Sequence, residues 1–154
     1  MLTRSELSAS DAYRQLPQIP RSDVQLLWHA DYWDGPRSGL LLFRGQRCWF
    51  EVFAENDDED EPYVWWRRFA ILRLTPDQLA EEEPWHALFR EKVGTHTDYD
   101  ATGARQKGEL RPQKEWWEFY IACAGRTPQN FNSNEVLGWF EERRGQAPEL
   151  PRTG

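Results

Sequence analysis

The chain is poor in the residues that cross-link, anchor or activate small proteins. Of its 154 residues, only two are cysteine, three are histidine and one is methionine. Cys48 and Cys123 are too few for the disulfide framework of a small secreted domain, so we expect two reduced, buried thiols. No apolar run approaches the roughly 18 residues that a membrane-spanning helix needs. A mean hydropathy of -0.86 agrees with the exclusion of a membrane protein. Because the first residues form no apolar signal segment, we expect a cytoplasmic location.

Common catalytic and phosphate-binding motifs are also missing. The sequence contains no Gly-x-Ser-x-Gly, no glycine-rich phosphate loop and no Cys-x-x-Cys. Positive charge is scarce, since 26 acidic residues oppose 19 basic ones and the net charge is -7. Binding to a phosphate backbone needs a basic face, which argues against nucleic acid as the main ligand. An acidic run between residues 55 and 61 reads as a surface loop, with docking to a basic partner as the alternative.

Tryptophan, in contrast, is abundant. Nine residues are Trp and aromatic residues make up 14% of the chain, so the core must be built largely from rings. Trp and Tyr anchor protein interfaces, which favours a protein- or peptide-binding module, whereas a large core with partly covered Trp residues is the equally weighted alternative. Adjacent Trp side chains on a strand point to opposite faces, so one of a pair lies away from the main core. The candidate binding residues are Tyr32, Trp33, Trp65, Trp66 and Tyr99.

The order of secondary structure is predicted from periodicity and turn residues. Strands are expected at 24–28, 40–43, 48–53, 63–74 and 136–141, with a loop at 34–39 and a long polar loop at 96–113. Gly45, as the first central residue of a two-residue type II′ turn, would pair Phe43 with Cys48. Thr75, Pro76 and Gln78 predict a capped helix start, Pro84 predicts a kink or restart, and Gly94 predicts the end. Segment 114–123 fits a helix or a strand, and we favour a helix.

These elements predict an α+β fold. We expect a mostly antiparallel sheet of about five strands, with one or two helices packed on one face. The chain divides into a weakly ordered lead-in at 1–20, a single domain at 21–142 and a disordered tail at 143–154. The sheet face that meets the helix after Thr75 is predicted to carry Leu41, Phe43, Phe50 and Val52. Its partners on the helix would be Leu79, Leu88 and Phe89.

A tetrapeptide pattern occurs twice and holds two of the three histidines. His29-Ala30-Asp31-Tyr32 and His96-Thr97-Asp98-Tyr99 each place a histidine two residues before an aspartate. On a strand, His29 and Asp31 would point to the same side, and His96 would complete a two-histidine, one-carboxylate set for a divalent metal ion. Asp98 could add a fourth ligand suited to a metal-bound water.

The same four residues could also work without a cofactor. A histidine held by an aspartate is a proton-transfer group, so His29, Asp31, His96 and Asp98 are the candidate catalytic residues of a small hydrolase or oxygenase. The alternative to which we give more weight is structural, with each aspartate accepting backbone hydrogen bonds in a turn. A binding module without a cofactor is therefore the first functional hypothesis, and the enzyme is the second.

Overall fold

The structure, a computed structural model, describes residues 1–7, 11–33, 35–56, 65–94, 111–126 and 130–144. Its centre is a five-stranded antiparallel sheet in which the strands lie side by side in chain order. The strands are β1 Val24–Tyr32, β2 Pro36–Phe43, β3 Gln46–Glu55, β4 Trp65–Arg73 and β5 Val136–Arg144. The helices are α1 Arg4–Leu7, α2 Pro76–Lys92 and α3 Gln113–Ala124. Because α2 and α3 pack against this sheet, the prediction of an α+β fold is confirmed.

The two long helices form where local sequence signals place them. The Gln78 backbone N–H donates to Thr75 Oγ1 at 3.2 Å, and the Thr75 backbone N–H donates to Gln78 Oε1 at 3.0 Å. This reciprocal capping box satisfies two donors that the first turn would otherwise leave unpaired. Pro84 lies inside α2 without dividing it into two helices. The ambiguous segment 114–123 is helical, as predicted, and lies within α3.

The first hairpin is longer than its sequence indicates. β1 runs through Tyr32 instead of ending at Trp28, and β2 begins at Pro36, inside the stretch predicted as a loop. The prediction of a loop at 34–39 is wrong because a side chain distant in sequence holds this turn in place. Arg67 on β4 donates hydrogen bonds to the carbonyl oxygens of Gly35 and Pro36 at 3.1 and 3.2 Å. No pattern within residues 34–39 could reveal such a contact.

The turn between β2 and β3 also differs from the prediction. Phe43 pairs with Gln46 and not with Cys48, so the two-residue loop is Arg44-Gly45. Both loop residues have positive φ, 50° and 76°, which is the type I′ geometry and not the type II′ geometry. The register moves by two residues, and a strand repeats every two residues. Each side chain therefore stays on the face predicted for it.

The sheet has apolar residues on both faces, and α2 and α3 cover the face opposite to the one predicted. Leu41, Phe43 and Phe50 do not meet α2. They belong to the inner cluster, which comprises Ile19, Val24, Leu41, Phe43, Cys48, Phe50, Phe69, Ile71 and Phe140. The helices instead cover the outer face through Phe89 of α2 and Phe119 of α3. Their partners on the strands are Trp28, Leu40, Trp49, Ala70 and Leu72. Alternation shows which residues share a face, but it does not show which of two apolar faces a helix covers.

The inner face is enclosed because the sheet curls. In a flat sheet of five strands the two edges would lie roughly 19 Å apart. Here Arg21 bridges them, with its Nε on Glu142 Oε1 of β5 at 2.6 Å and its Nη1 on the Val24 carbonyl of β1 at 3.0 Å. The Ile19 backbone N–H also donates to the Trp139 carbonyl of β5 at 2.7 Å. The segment entering β1 thus closes the gap between the edge strands.

The described part of the predicted lead-in lies against the sheet. The Val136 backbone N–H donates to the Leu2 carbonyl at 2.8 Å, and the Arg4 backbone N–H donates to the Asn134 carbonyl at 3.0 Å. Tyr13 packs its ring edge-on against Trp139 at 5.1 Å. These contacts attach residues 1–7 and 11–19 to β5 and the connection before it. The division into lead-in, domain and tail stays a prediction, and most of the tail, 145–154, lies outside the described residues.

Candidate functional site

The structure describes only the first of the two His-x-Asp-Tyr segments. His29 lies within β1, is 2% exposed, and contacts the rings of Phe89 at 5.3 Å and Tyr32 at 5.5 Å. Asp31 has a 62% exposed side chain and lies 3.5 Å from the Arg37 guanidinium. His96, Asp98 and Tyr99 lie outside the described residues, so the catalytic and metal hypotheses stay predictions. Within the described ranges, no three His, Cys, Asp or Glu side chains form a group that could hold a metal ion.

His29 lies where β1 is covered on both faces and its pairing with β2 is irregular. Three successive residues, Trp28, His29 and Ala30, are buried, as in other strands of this sheet, because both faces of the sheet are covered. The pairing of β1 with β2 shifts register on both sides of His29, and Gly39 lies opposite this residue. A Cβ atom on Gly39 would lie 2.0 Å from the Trp28 carbonyl oxygen. Glycine is therefore needed for the two strands to approach this closely.

Among the candidate binding residues, Trp33 is the most accessible in the described chain. It follows β1 directly and is 67% exposed. Arg67, which is only 2% exposed, holds this turn by donating to the Trp33 carbonyl, and its Nε donates to Glu55 Oε2 at 3.0 Å. Hydrogen bonds from Arg37, together with the contact from Arg67, lower the pKa of Glu55. The exposed indole thus stands on a turn that is anchored by the buried Arg67 side chain.

Tyr32 belongs to a run of ring contacts that crosses from β1 to α3. Its ring stacks on Tyr120 at 6.2 Å, Tyr120 meets Trp116 edge-on at 6.3 Å, and Trp116 meets Trp117 edge-on at 6.1 Å. We call these four residues the aromatic strip. Its last member, Trp117, is 51% exposed, and Ile121, one helical turn further on, is 58% exposed. The strip therefore continues into an exposed apolar edge of α3.

The other candidate residues lie elsewhere. Trp66 is half-buried on β4, and the Arg68 guanidinium lies 4.7 Å from its ring centroid. The Trp65 side chain and all of Tyr99 lie outside the described residues. Trp116, Trp117 and Tyr120 were not predicted from the sequence as binding residues. The available signal was the spacing of Trp117 and Ile121 by four residues, which puts both on one helical face away from Phe119.

A charged cavity of about 320 Å³ lies beside the strip, between the outer sheet face and the end of α3. Its charged lining comprises Arg4, Asp31, Glu51 and Arg126, and its apolar lining includes Trp49 and Cys123. Arg4 and Glu51 form an ion pair with each other. Behind the cavity, Arg126 Nη1 donates to Glu82 Oε2 at 2.8 Å. The cavity thus brings together side chains of both charge signs.

Burial alters the acidity of two groups near this cavity. Burial raises the pKa of the Cys123 thiol to about 11, so this thiol is almost entirely protonated at neutral pH and is a poor nucleophile. Burial also raises the pKa of Glu82, whose side chain is 0% exposed, and the hydrogen bond from Arg126 opposes this effect. The cavity is therefore suited to binding through fixed charges and not to thiol chemistry.

Comparison with protein-family models, curated proteins and solved structures finds no match to this chain. None of the helices in the described part of the chain is long and apolar enough to cross a membrane.

Proposed function

We propose that the protein is a cytoplasmic peptide-binding module whose contact surface is the aromatic strip together with Trp33. The observation that carries this proposal is the unbroken series of ring contacts from Tyr32 on β1 to the exposed Trp117 on α3. Exposed aromatic groups on a rigid support are the usual anchors of protein interfaces. An enzyme would need a different arrangement, centred on His29 and Asp31.

The strip is held rigidly, which favours tight binding. Phe119 and Cys123 fix α3 to the core, since both are 4% exposed. Each ring of the strip is also supported by a neighbouring ring. A surface that is ordered before binding loses less conformational entropy when a partner docks on it. Little rearrangement of α3 is therefore required.

The spacing of the rings indicates the form of the partner. Successive ring centroids lie 6.1 to 6.3 Å apart. An extended chain advances about 6.6 Å for every two residues, and every second side chain points in the same direction. Alternate apolar side chains of an extended peptide can therefore meet successive rings. A peptide of about seven residues would cover the four rings of the strip.

The charge around the strip favours a basic peptide. Glu118 is exposed beside Trp117, and Asp31 precedes Tyr32 with its side chain 62% exposed. The net charge of -7 attracts a positively charged partner over a longer range and disfavours nucleic acid. The proposed ligand is thus an extended segment with alternating apolar residues and at least one Lys or Arg.

The test begins with selection from a random peptide library displayed on phage, using the full-length protein. The enriched peptides are synthesised, and their Kd values are measured by fluorescence anisotropy. Trp117→Ala should weaken binding at least 30-fold, equivalent to about 2 kcal/mol for an interface anchor. The matched control is Leu88→Ala, because Leu88 is 38% exposed on α2 and is not part of the strip. This control should change Kd by less than about threefold.

Two results would overturn the proposal. One is the absence of any enriched basic, apolar peptide. The other is equal binding to the wild-type protein and Trp117→Ala. Urea unfolding of the variant should show a loss of stability of no more than about 1.5 kcal/mol, because the half-exposed side chain gives up one ring contact, that with Trp116. A weakened Kd is then attributable to the lost indole.

A further inference from the structure

We propose that the cavity beside α3 binds a small zwitterion of the size of a free amino acid, with its carboxylate on Arg126 and its ammonium group on Asp31. The cavity is lined by none of the four rings of the aromatic strip and shares only Asp31 with the charged surroundings of the strip, and the proposal does not depend on the peptide-binding function. It is carried by the convergence of two opposite charges, one rigidly held and one largely exposed, on a single cavity.

The volume of the cavity matches a small ligand. At about 320 Å³ the cavity is near the lower end of the range of small-molecule pockets, roughly 300 to 1,000 Å³. A nucleotide or a long peptide would not be enclosed. An amino acid fits this space, and its apolar part would lie on Trp49 and Phe131. The Ser38 hydroxyl, which also lines the cavity, supplies a further hydrogen-bonding group.

Arg126 is preorganised to bind a carboxylate. Its side chain is 16% exposed, and its guanidinium lies 5.8 Å from the Trp49 ring and 5.3 Å from the Trp85 ring. Glu82 accepts one hydrogen bond, from Nη1, whereas a guanidinium carries five N–H donors. Among the described residues, no other acceptor pairs with the Arg126 guanidinium, so donors remain for a ligand.

The buried ion pair between Glu82 and Arg126 is energetically costly, which is typical of a binding site and not of a contact that stabilises the core. Glu82 is 0% exposed, and its Oε1 has no hydrogen-bond partner among the described residues. A buried ion pair is rarely better for stability than an apolar pair of the same volume. Holding Arg126 in place for a ligand gives this pair a function.

Asp31 is suited to bind the ammonium group. Its side chain is 62% exposed, and its contact with Arg37 is long, at 3.5 Å. Arg37 is engaged mainly by Glu55, with Nη1 to the two carboxylate oxygens at 2.9 and 3.2 Å. Asp31 therefore has an incompletely compensated charge. Both Asp31 and Arg126 act electrostatically on the Cys123 thiol, which also lines the cavity.

The experiment is isothermal titration calorimetry of the full-length protein with each of the twenty common L-amino acids. At least one should bind with a Kd of about 1 mM or tighter. The N-acetyl derivative and the carboxamide of that amino acid each lack one charge, and each should bind at least about tenfold more weakly. The proposal is overturned if no amino acid binds, or if either derivative binds as tightly as the parent compound.

Variants test the two charged residues separately. Asp31→Asn should weaken binding at least about tenfold, whereas Asp23→Asn, at an exposed carboxylate that does not line the cavity, should leave Kd unchanged. The double variant Glu82→Gln with Arg126→Gln removes the guanidinium without leaving a buried unpaired carboxylate, and it should abolish binding. Undiminished binding by either cavity variant would refute the assigned contacts. Trp117→Ala should bind the amino acid normally, which separates this site from the aromatic strip.

Discussion

Replacing Arg126 with glutamine should destabilise the protein by about 3–5 kcal/mol at neutral pH. The reason is the position of its partner, since the Glu82 side chain is 0% exposed and lies 2.8 Å from the guanidinium. In the variant, the carboxylate would keep its burial but lose its compensating charge. Removing one member of a buried pair costs far more than removing both. The double variant Glu82→Gln with Arg126→Gln should therefore recover most of the loss.

The loss should also depend on pH. Burial raises the pKa of Glu82, and Arg126 lowers it again in part, so removing Arg126 raises the folded-state pKa further. A carboxyl whose folded-state pKa is raised binds its proton more tightly in the folded protein. Its contribution to stability is complete below the unfolded value of 4.5 and is lost as pH rises through the folded pKa. The difference in free energy of unfolding between wild type and Arg126→Gln should thus become smaller as pH falls towards 4.5.

Urea unfolding followed by tryptophan fluorescence measures these differences. We compare the wild-type protein, Arg126→Gln, Glu82→Gln and the double variant at neutral pH and near pH 4.5. The contributions of all other carboxylates to stability then cancel between the proteins. A deficit below about 1 kcal/mol for Arg126→Gln at neutral pH would contradict the assumed burial of Glu82. A deficit of equal size at both pH values would show that the effect is loss of packing and not loss of charge compensation.

Two further predictions concern the strand contact and the thiols. Gly39→Ala should lower the free energy of unfolding by about 1–3 kcal/mol, because its Cβ would lie 2.0 Å from a backbone oxygen. The control Gly125→Ala, whose Cβ would have its nearest atom at 3.5 Å, should change this free energy by no more than about 0.5 kcal/mol. Thermal denaturation compares the two variants, and equal melting temperatures would be inconsistent with the close approach of β1 and β2. Burial raises the pKa values of Cys48 and Cys123 from 9.0 to about 11. The folded protein should therefore react with an aromatic disulfide reagent at least about 100-fold more slowly than the unfolded chain. Labelling of the folded protein at the rate of the unfolded chain would refute the burial of the two thiols.

Local sequence determined much of the secondary structure. The capping box of Thr75 and Gln78 starts α2 because its hydrogen bonds lie within one turn and need no distant partner. The alternation in β2 and β3 placed Leu41, Phe43 and Phe50 on one face, and this grouping survived a register error of two residues. At 114–123 the periodicity fitted a helix and a strand alike, and Pro112 before the segment and Glu115 in its first turn favoured the helix that is observed. Signals of this kind depend on residues that are close together in the chain.

The candidate site was less predictable because it is made of parts distant in sequence. Tyr32 was singled out from the sequence, but Tyr120, its neighbour on α3, was not, since nothing local joins position 32 to position 120. The cavity combines α1, three strands and the end of α3 through Arg4, Asp31 and Arg126. The second His-x-Asp-Tyr segment lies outside the described residues, so its role stays a prediction.

The sequence by itself determined which segments become helices and strands and which side chains share a face, because backbone hydrogen bonding and side-chain periodicity act over a few residues. Only the tertiary structure decided which sheet face the helices cover, how far β1 extends and where the rings and charges meet. Both faces of this sheet are apolar, so local pattern left two packings open. The extent of β1 and the closure of the sheet likewise depend on contacts such as those of Arg67 and Arg21, which join segments far apart in the chain.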